Sequence, residues 1–251
     1  MRRALAFAVL ILSATFARAD SGIGVNFAEA EAGTSRTDAA SRGTLRLTTD
    51  VLITRAHGLQ LDFGLEEDPS GTIGRIDGHL YMIPQPNQKF GLFFSVTDVD
   101  GREATVAQVG IAGMLEFAPG TVLSGHASLG MVRPQKVDFV AVSARVSHAL
   151  SDGLSVFAEI GGAEFEEEFL HVVTRQTRAG LIWEPKGRPL AATLSLARSD
   201  LAGRDGRPGE TRVEFAVTYR FGAKGGARRP LRERPFLAPQ SAVPMIAAGI
   251  F

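Results

Sequence analysis

The sequence has no cysteine, a single Trp, only two Tyr, and no apolar run that approaches 18 residues. Without thiols there can be no disulfide framework, no thiolate zinc site and no cysteine nucleophile. Without a long apolar run there is no transmembrane helix, which needs about 20 such residues for a hydrocarbon core of about 30 Å. An excess of one charge is missing too, since 27 basic side chains balance 27 acidic ones over 251 residues. The balance is uneven along the chain. Residues 222–251 carry one Lys and four Arg against one Glu, while the stretch 20–221 is net −7. That sign disfavours a nucleic-acid-binding core. With 45% hydrophobic and 22% charged residues the chain is not wholly disordered, and it has room for one large or two small domains.

What is present begins with an address. Met1-Arg2-Arg3 is followed by an apolar stretch from Ala4 to Phe16, then by Ala17-Arg18-Ala19 and Asp20. A basic start, a short apolar segment and small residues at the cleavage positions read as an export signal cut after Ala19.

Beyond it the dominant pattern is strict alternation. In 59–66, Leu59, Leu61, Phe63 and Leu65 alternate with Gln60, Asp62, Gly64 and Glu66. In 72–83, Ile76, Leu80 and Met82 oppose Arg75, Asp77, His79 and Tyr81, and in 212–221 Val213, Phe215, Val217, Tyr219 and Phe221 oppose Arg212, Glu214 and Arg220. A period of two with one apolar face predicts half-buried strands. About twelve such segments fall near 22–30, 43–54, 58–66, 72–83, 88–97, 103–117, 121–132, 136–149, 154–163, 169–183, 189–198 and 210–221. Most are longer than the five or six residues usual in soluble strands, and about 9–11 suffice to cross a bilayer at a tilt. Most connections are short. Glu31 to Arg42 and Ser199 to Gly209 read as two long polar loops, both at the end away from the termini.

On the apolar face Phe90, Phe117, Trp183, Tyr219 and Phe221 all fall at the terminus-bearing end, as an interfacial aromatic girdle would. Phe27, Phe165 and Phe169 are the candidates for an opposite girdle. The polar face carries Arg46, Asp50, Asp62, Glu66, Arg75, Asp77, Glu116, Arg145, Glu159, Gln176, Arg178, Arg212, Glu214 and Arg220, with no Lys among them. Arginine forks pair with carboxylates bidentately, which suits a confined lumen better than an open water face. Arg175 departs from the scheme, sharing parity with Val173, Ala179 and Trp183, and a bulge or a strand starting at Thr177 would explain it.

The stretch Val213 to Phe221, with aromatics two apart at its end, resembles the closing strand of Gram-negative outer-membrane porins. The resemblance covers the mature region up to Gly222 and implies a transmembrane antiparallel up-and-down all-β barrel. It also implies that Tyr219 and Phe221 serve as the assembly signal for the barrel-insertion machinery. In that family the signal ends the chain, whereas here 30 residues follow, and Ala216 stands where the pattern often has Gly.

The tail 223–251, rich in Gly, Pro and Arg, reads as a flexible periplasmic extension; the sharper alternative folds Arg228, Arg229, Arg232 and Arg234 back onto an acidic barrel mouth. Chemistry is sparse. The five His (57, 79, 126, 148, 171) form no ligand cluster, and no phosphate loop or nucleophile elbow occurs. Ser124, His126 and Ser128 share a face, but by parity it is the lumen face, away from the outer wall where a lipolytic pair would act. The run Glu164, Glu166, Glu167, Glu168 reads as an outside hairpin tip able to concentrate cations at a pore mouth.

The expectation is therefore a signal peptide (1–19), an outer-membrane barrel (20–222) and a basic tail (223–251), in a protein that is not an enzyme and has no cofactor, metal site or nucleic-acid partner. Its function is passive diffusion of ions and small hydrophilic solutes, with mild cation preference. The alternatives are a non-conducting structural or interaction barrel, and a soluble periplasmic β-sandwich or lipocalin-like binder. Solute and oligomeric state are not legible in the sequence.

Overall fold

The computed structural model describes residues 24–38, 40–68, 71–100, 104–167, 170–204, 206–222, 225–239 and 244–245. The expected signal peptide, Glu168, Phe169 and Phe251 lie outside the described residues. Twelve strands follow one another: β1 (Gly24–Arg36), β2 (Ser41–Leu52), β3 (His57–Asp68), β4 (Gly71–Gln85), β5 (Gln88–Val99), β6 (Ala104–Ala118), β7 (Thr121–Arg133), β8 (Val137–Ala149), β9 (Leu154–Glu167), β10 (Leu170–Trp183), β11 (Leu190–Ala202) and β12 (Arg207–Phe221). Each pairs antiparallel with its neighbours in sequence, and β1 pairs with β12 from Ala28 opposite Phe221 to Arg36 opposite Val213. The sheet is thereby a closed barrel, with no edge left unpaired.

Alternation sorts the side chains as expected, with the apolar set outside. Leu80, Leu92 and Ile111 lie side by side across β4, β5 and β6, and they are 56%, 63% and 61% exposed. The belt continues around the wall through Leu129, Val140, Ile160, Leu181, Leu194 and Phe215, all exposed. Large apolar side chains forfeit about 1.5–3 kcal/mol each when left in water, so a belt of this kind belongs against lipid. A soluble sandwich would have turned these residues inward. Of the aromatics expected at the terminal end, Phe90, Phe117, Trp183 and Tyr219 are exposed on the outer wall, and the Tyr219 and Phe221 rings meet edge to face at 5.0 Å.

Three expectations need correction. The two long polar loops are mostly ladder: β1 continues to Arg36, where Thr34, Ser35 and Arg36 oppose Gly43, Arg42 and Ser41, and β11 runs to Ala202. At about 3.3 Å per residue and a tilt of about 40°, strands of 12 to 15 residues rise about 30–38 Å, beyond an apolar band of about 25 Å. The excess forms a rim where both faces are polar, so alternation stops although pairing does not. Connections are therefore short at both ends among the described residues. Next, Phe27 and Phe165 form no outer girdle, for both face the interior and are buried. Finally, Arg175 needs no bulge, because β10 pairs without interruption with β9 and Arg175 lies on the exposed outer rim, opposite Asp200 of β11.

Candidate channel lumen

Parity turns the charged face of every strand inward, where hydrocarbon outside and protein inside leave each ionised group dependent on a partner. At the terminal end, Arg220 of β12 donates to Glu29 of β1 at 2.6 Å and meets Glu184, which follows β10. Further along, Arg178 (2.7 Å) and Arg212 (2.7 Å) converge on Glu214, which also accepts from Ser195 at 2.9 Å. Arg145 donates through Nε to Glu159 at 2.9 Å and lies over the Phe157 ring. Arg75 pairs with Asp77 at 3.0 Å, and Arg46 lies 3.7 Å from Asp62, which accepts from Thr48 and Gln60. Glu66 shares a chamber with Arg75 and Arg212. Glu116 stands apart, because it accepts from the Gly120 amide at 2.8 Å and so holds the β6–β7 turn.

Asp50 anchors the most enclosed group. Its carboxylate accepts from Asn26 (2.9 Å) and the Tyr81 hydroxyl (2.7 Å) and faces Lys89 Nζ at 3.5 Å, with Lys89 and Asp50 both fully buried. Gly58, opposite Tyr81 on β3, makes this possible: a Cβ there would fall 2.3 Å from the Tyr81 hydroxyl, so only glycine lets the ring lie across the strand. Sequence reasoning overlooked Lys89, whose inward parity with Gly91 and Phe93 was the available signal. Glu29 and Glu184 were missed as well.

The tail occupies the lumen instead of extending freely beyond it. Gly222 (φ 71°) turns the chain out of β12; only glycine adopts that backbone angle without strain. The Gly225 amide bonds to Arg188 O and the Ala227 amide to Asp152 O at the rim. The chain then enters the barrel. Arg229 meets Glu29 at 3.0 Å and Glu184 at 3.4 Å, and a short 3₁₀ turn spans Leu231–Glu233. Leu231 and Phe236 join Tyr81, Phe93, Ala112, Met114 and Val122 in one buried apolar cluster. Met245 joins another at the far end, with Ile73, Val99, Val106, Val132, Val137, Phe139, Phe165 and Val172. Of the four tail arginines, Arg229 is the one paired with acidic groups of the lumen, whereas Arg228 lies at the rim 4.0 Å from Asp152. Beside the tail remain two polar chambers of about 150 and 200 Å³, room for several waters each.

Of the acidic run, Glu164 and Glu166 do not line a pore mouth. Glu164 and Glu166 belong to β9 and project from the outer wall near its far rim, close to Asp138, because Phe165 between them takes the inward position. His126 does face inward, and its Nδ1 lies 2.8 Å from Ser143 Oγ.

A closed twelve-stranded barrel, apolar outside and charged within, is the fold of porin-type outer-membrane proteins. Solved structures bear this out. The KdgM porin in complex with disordered oligogalacturonate superposes with a TM-score of 0.55 at 9% identity, covering 76% of this chain and 98% of that one. An outer membrane channel from Pseudomonas putida F1 gives 0.58 at 12% identity (83% and 98%), and the NanC porin 0.57 at 4% (76% and 98%). No family model and no curated protein matches the sequence.

Proposed function

We propose that the protein is an outer-membrane channel of the porin type, exported with removal of residues 1–19, which passes ions and small hydrophilic solutes and is not an enzyme. The observation that carries this reading is the sorting of side chains: a continuous apolar belt outside, and inside it chambers lined by Arg46, Arg178, Arg212, Glu66 and Glu214. The KdgM structure holds an acidic oligosaccharide. Here Arg145, Arg178, Arg212 and Arg220 already face carboxylates, so small ions and neutral solutes suit this lumen better than a polyanion. We ascribe a mild cation preference to the inward carboxylates Asp50, Asp62, Asp77 and Glu66, against which Arg229 of the tail works. Neither Tyr219 nor Phe221 enters the lumen, which supports the reading that this closing strand is recognised by the barrel-insertion machinery. The tail supports a second reading, a closed barrel that acts without conducting, since Phe236, Leu231 and Met245 fill much of the interior. Planar-bilayer recording on the full chain in a salt gradient tests the proposal. The expected result is discrete current steps with a reversal potential on the cation side; a silent membrane favours the closed barrel.

A further inference from the structure

Beside its side-chain contacts, the wall of the lumen also addresses the backbone of the tail. Asn26 donates to Arg232 O at 2.6 Å, Lys89 to Arg234 O at 2.9 Å and Arg75 to Pro239 O at 2.9 Å, while Gln60 Oε1 accepts from the Phe236 amide at 2.9 Å. Four side chains from β1, β3, β4 and β5 thus address backbone groups along one segment, a 3₁₀ turn that runs into extended chain at Arg234. This is how proteins read extended peptides: main-chain bonds hold the segment and a pocket reads one side chain. The pocket is here as well. Phe236 stacks on His79 at 4.8 Å with the planes 3° apart, meets Tyr81 edge-on at 5.6 Å, and has Lys89 Nζ 4.6 Å from its centroid. Pro230, Pro235 and Pro239 carry no N–H that would need an acceptor and favour extended backbone.

We propose that this wall is a binding site for a largely extended, proline-flanked aromatic peptide, and that residues 227–239 are its resident, displaceable ligand, a plug that narrows the bore until it leaves. The claim of plugging rests on the channel reading above; the claim of a peptide site does not. Two features make the segment separable from the wall. The β-ladder closes through β1 and β12 with no strand from the tail, so every barrel strand keeps both neighbours without it. The connection runs through Gly222, Gly225 and Gly226, with φ of 71° and 152° at the first and last.

The natural absence of cysteine supplies the reporter. In the full chain carrying Ala238→Cys, the only thiol sits within the resident segment itself, at a buried position (8% exposed). Maleimide labelling in detergent should be slow. Adding Leu231→Ala and Phe236→Ala should accelerate it by at least about tenfold, equivalent to about 1.4 kcal/mol, and should raise single-channel conductance. A synthetic peptide of residues 227–239 should then block the current while labelling stays fast, because the peptide takes the wall and keeps the tail thiol outside, whereas the same peptide with Phe236 replaced by Ala should not block. A second arm leaves the tail core untouched: excess synthetic peptide added to the Ala238→Cys chain should speed labelling by displacing the resident segment. Equal labelling rates with and without the two alanine changes, or indifference to peptide in both arms, overturns the proposal. Fast labelling in the alanine variant and peptide-driven labelling in the second arm, with no current in either, uphold the peptide site and overturn the channel reading alone.

Discussion

Replacing Lys89 by Met tests how the interior is held together, because this ammonium is fully buried and three kinds of interaction converge on it. It faces Asp50 at 3.5 Å, donates to Arg234 O at 2.9 Å, and lies 4.1 Å from the Tyr81 ring and 4.6 Å from the Phe236 ring. Methionine keeps most of the stem, so packing loss is small and the electrostatic loss dominates. Removing one partner of a buried pair costs about 3–5 kcal/mol, since the other charge is left behind. The carbonyl bond and the ring contacts would add about 1.5–3 and 0.5–2 kcal/mol as separate terms, but groups that share one site are not additive. The total is therefore expected at about 3–5 kcal/mol. The partner change should recover part of it. In the Lys89→Met background Asp50→Asn removes the orphaned charge, and the Asn oxygen can still accept from Asn26 and Tyr81 as Asp50 does. Recovery of about 2 kcal/mol is expected, within the range of couplings between touching residues. Urea unfolding of the lipid-inserted protein, extrapolated linearly, reads all three variants. A single-variant cost below about 1 kcal/mol, or a double variant no better than the single, would refute the buried pair.

On the outer wall, Val142→Arg should destabilise by about 2–4 kcal/mol, whereas Arg at the adjacent inward Ser143 should cost much less; equal costs in urea would overturn the inside–outside assignment. Glu164→Gln with Glu166→Gln should leave the reversal potential unchanged, because both carboxylates sit on the outer rim and not along the ion path. Arg229→Gln should shift that potential further to the cation side, since it frees negative charge at Glu29 and Glu184, and the shift should shrink as salt shortens the Debye length to about 3 Å at 1 M. N-terminal sequencing of protein recovered from the outer membrane should read from Asp20 onward.

The barrel was legible because its signal is local and repeated. Each strand between Leu59 and Phe221 states its two faces within eight or ten residues, and the inward placement of residues such as Arg145 and Glu159 followed from parity alone. Strand ends were less legible. Around Thr34 to Arg36 and Ser199 to Ala202 both faces turn polar above the lipid, so composition reads as loop where the backbone is still paired. The tail was the hardest part. Gly, Pro and Arg compose linkers and buried plugs alike, and the partners that distinguish them lie 145 to 206 residues away, at Lys89, Arg75, Gln60 and Asn26. No window along the chain contains both halves of that contact.

The linker at Gly225 to Ala227 crosses the rim between the β8–β9 and β10–β11 turns, at the end where β1 begins and β12 stops. Residues 225–239 thus enter through that opening, and the ring can zip shut before they slide in. Extraction is the same movement reversed. A pull applied at that opening draws Phe236 from its slot along the barrel axis, peeling one wall contact at a time, whereas a push from the far side has to move the whole column at once. The molecule is mechanically a latch whose handle lies on the side where β1 begins and β12 stops.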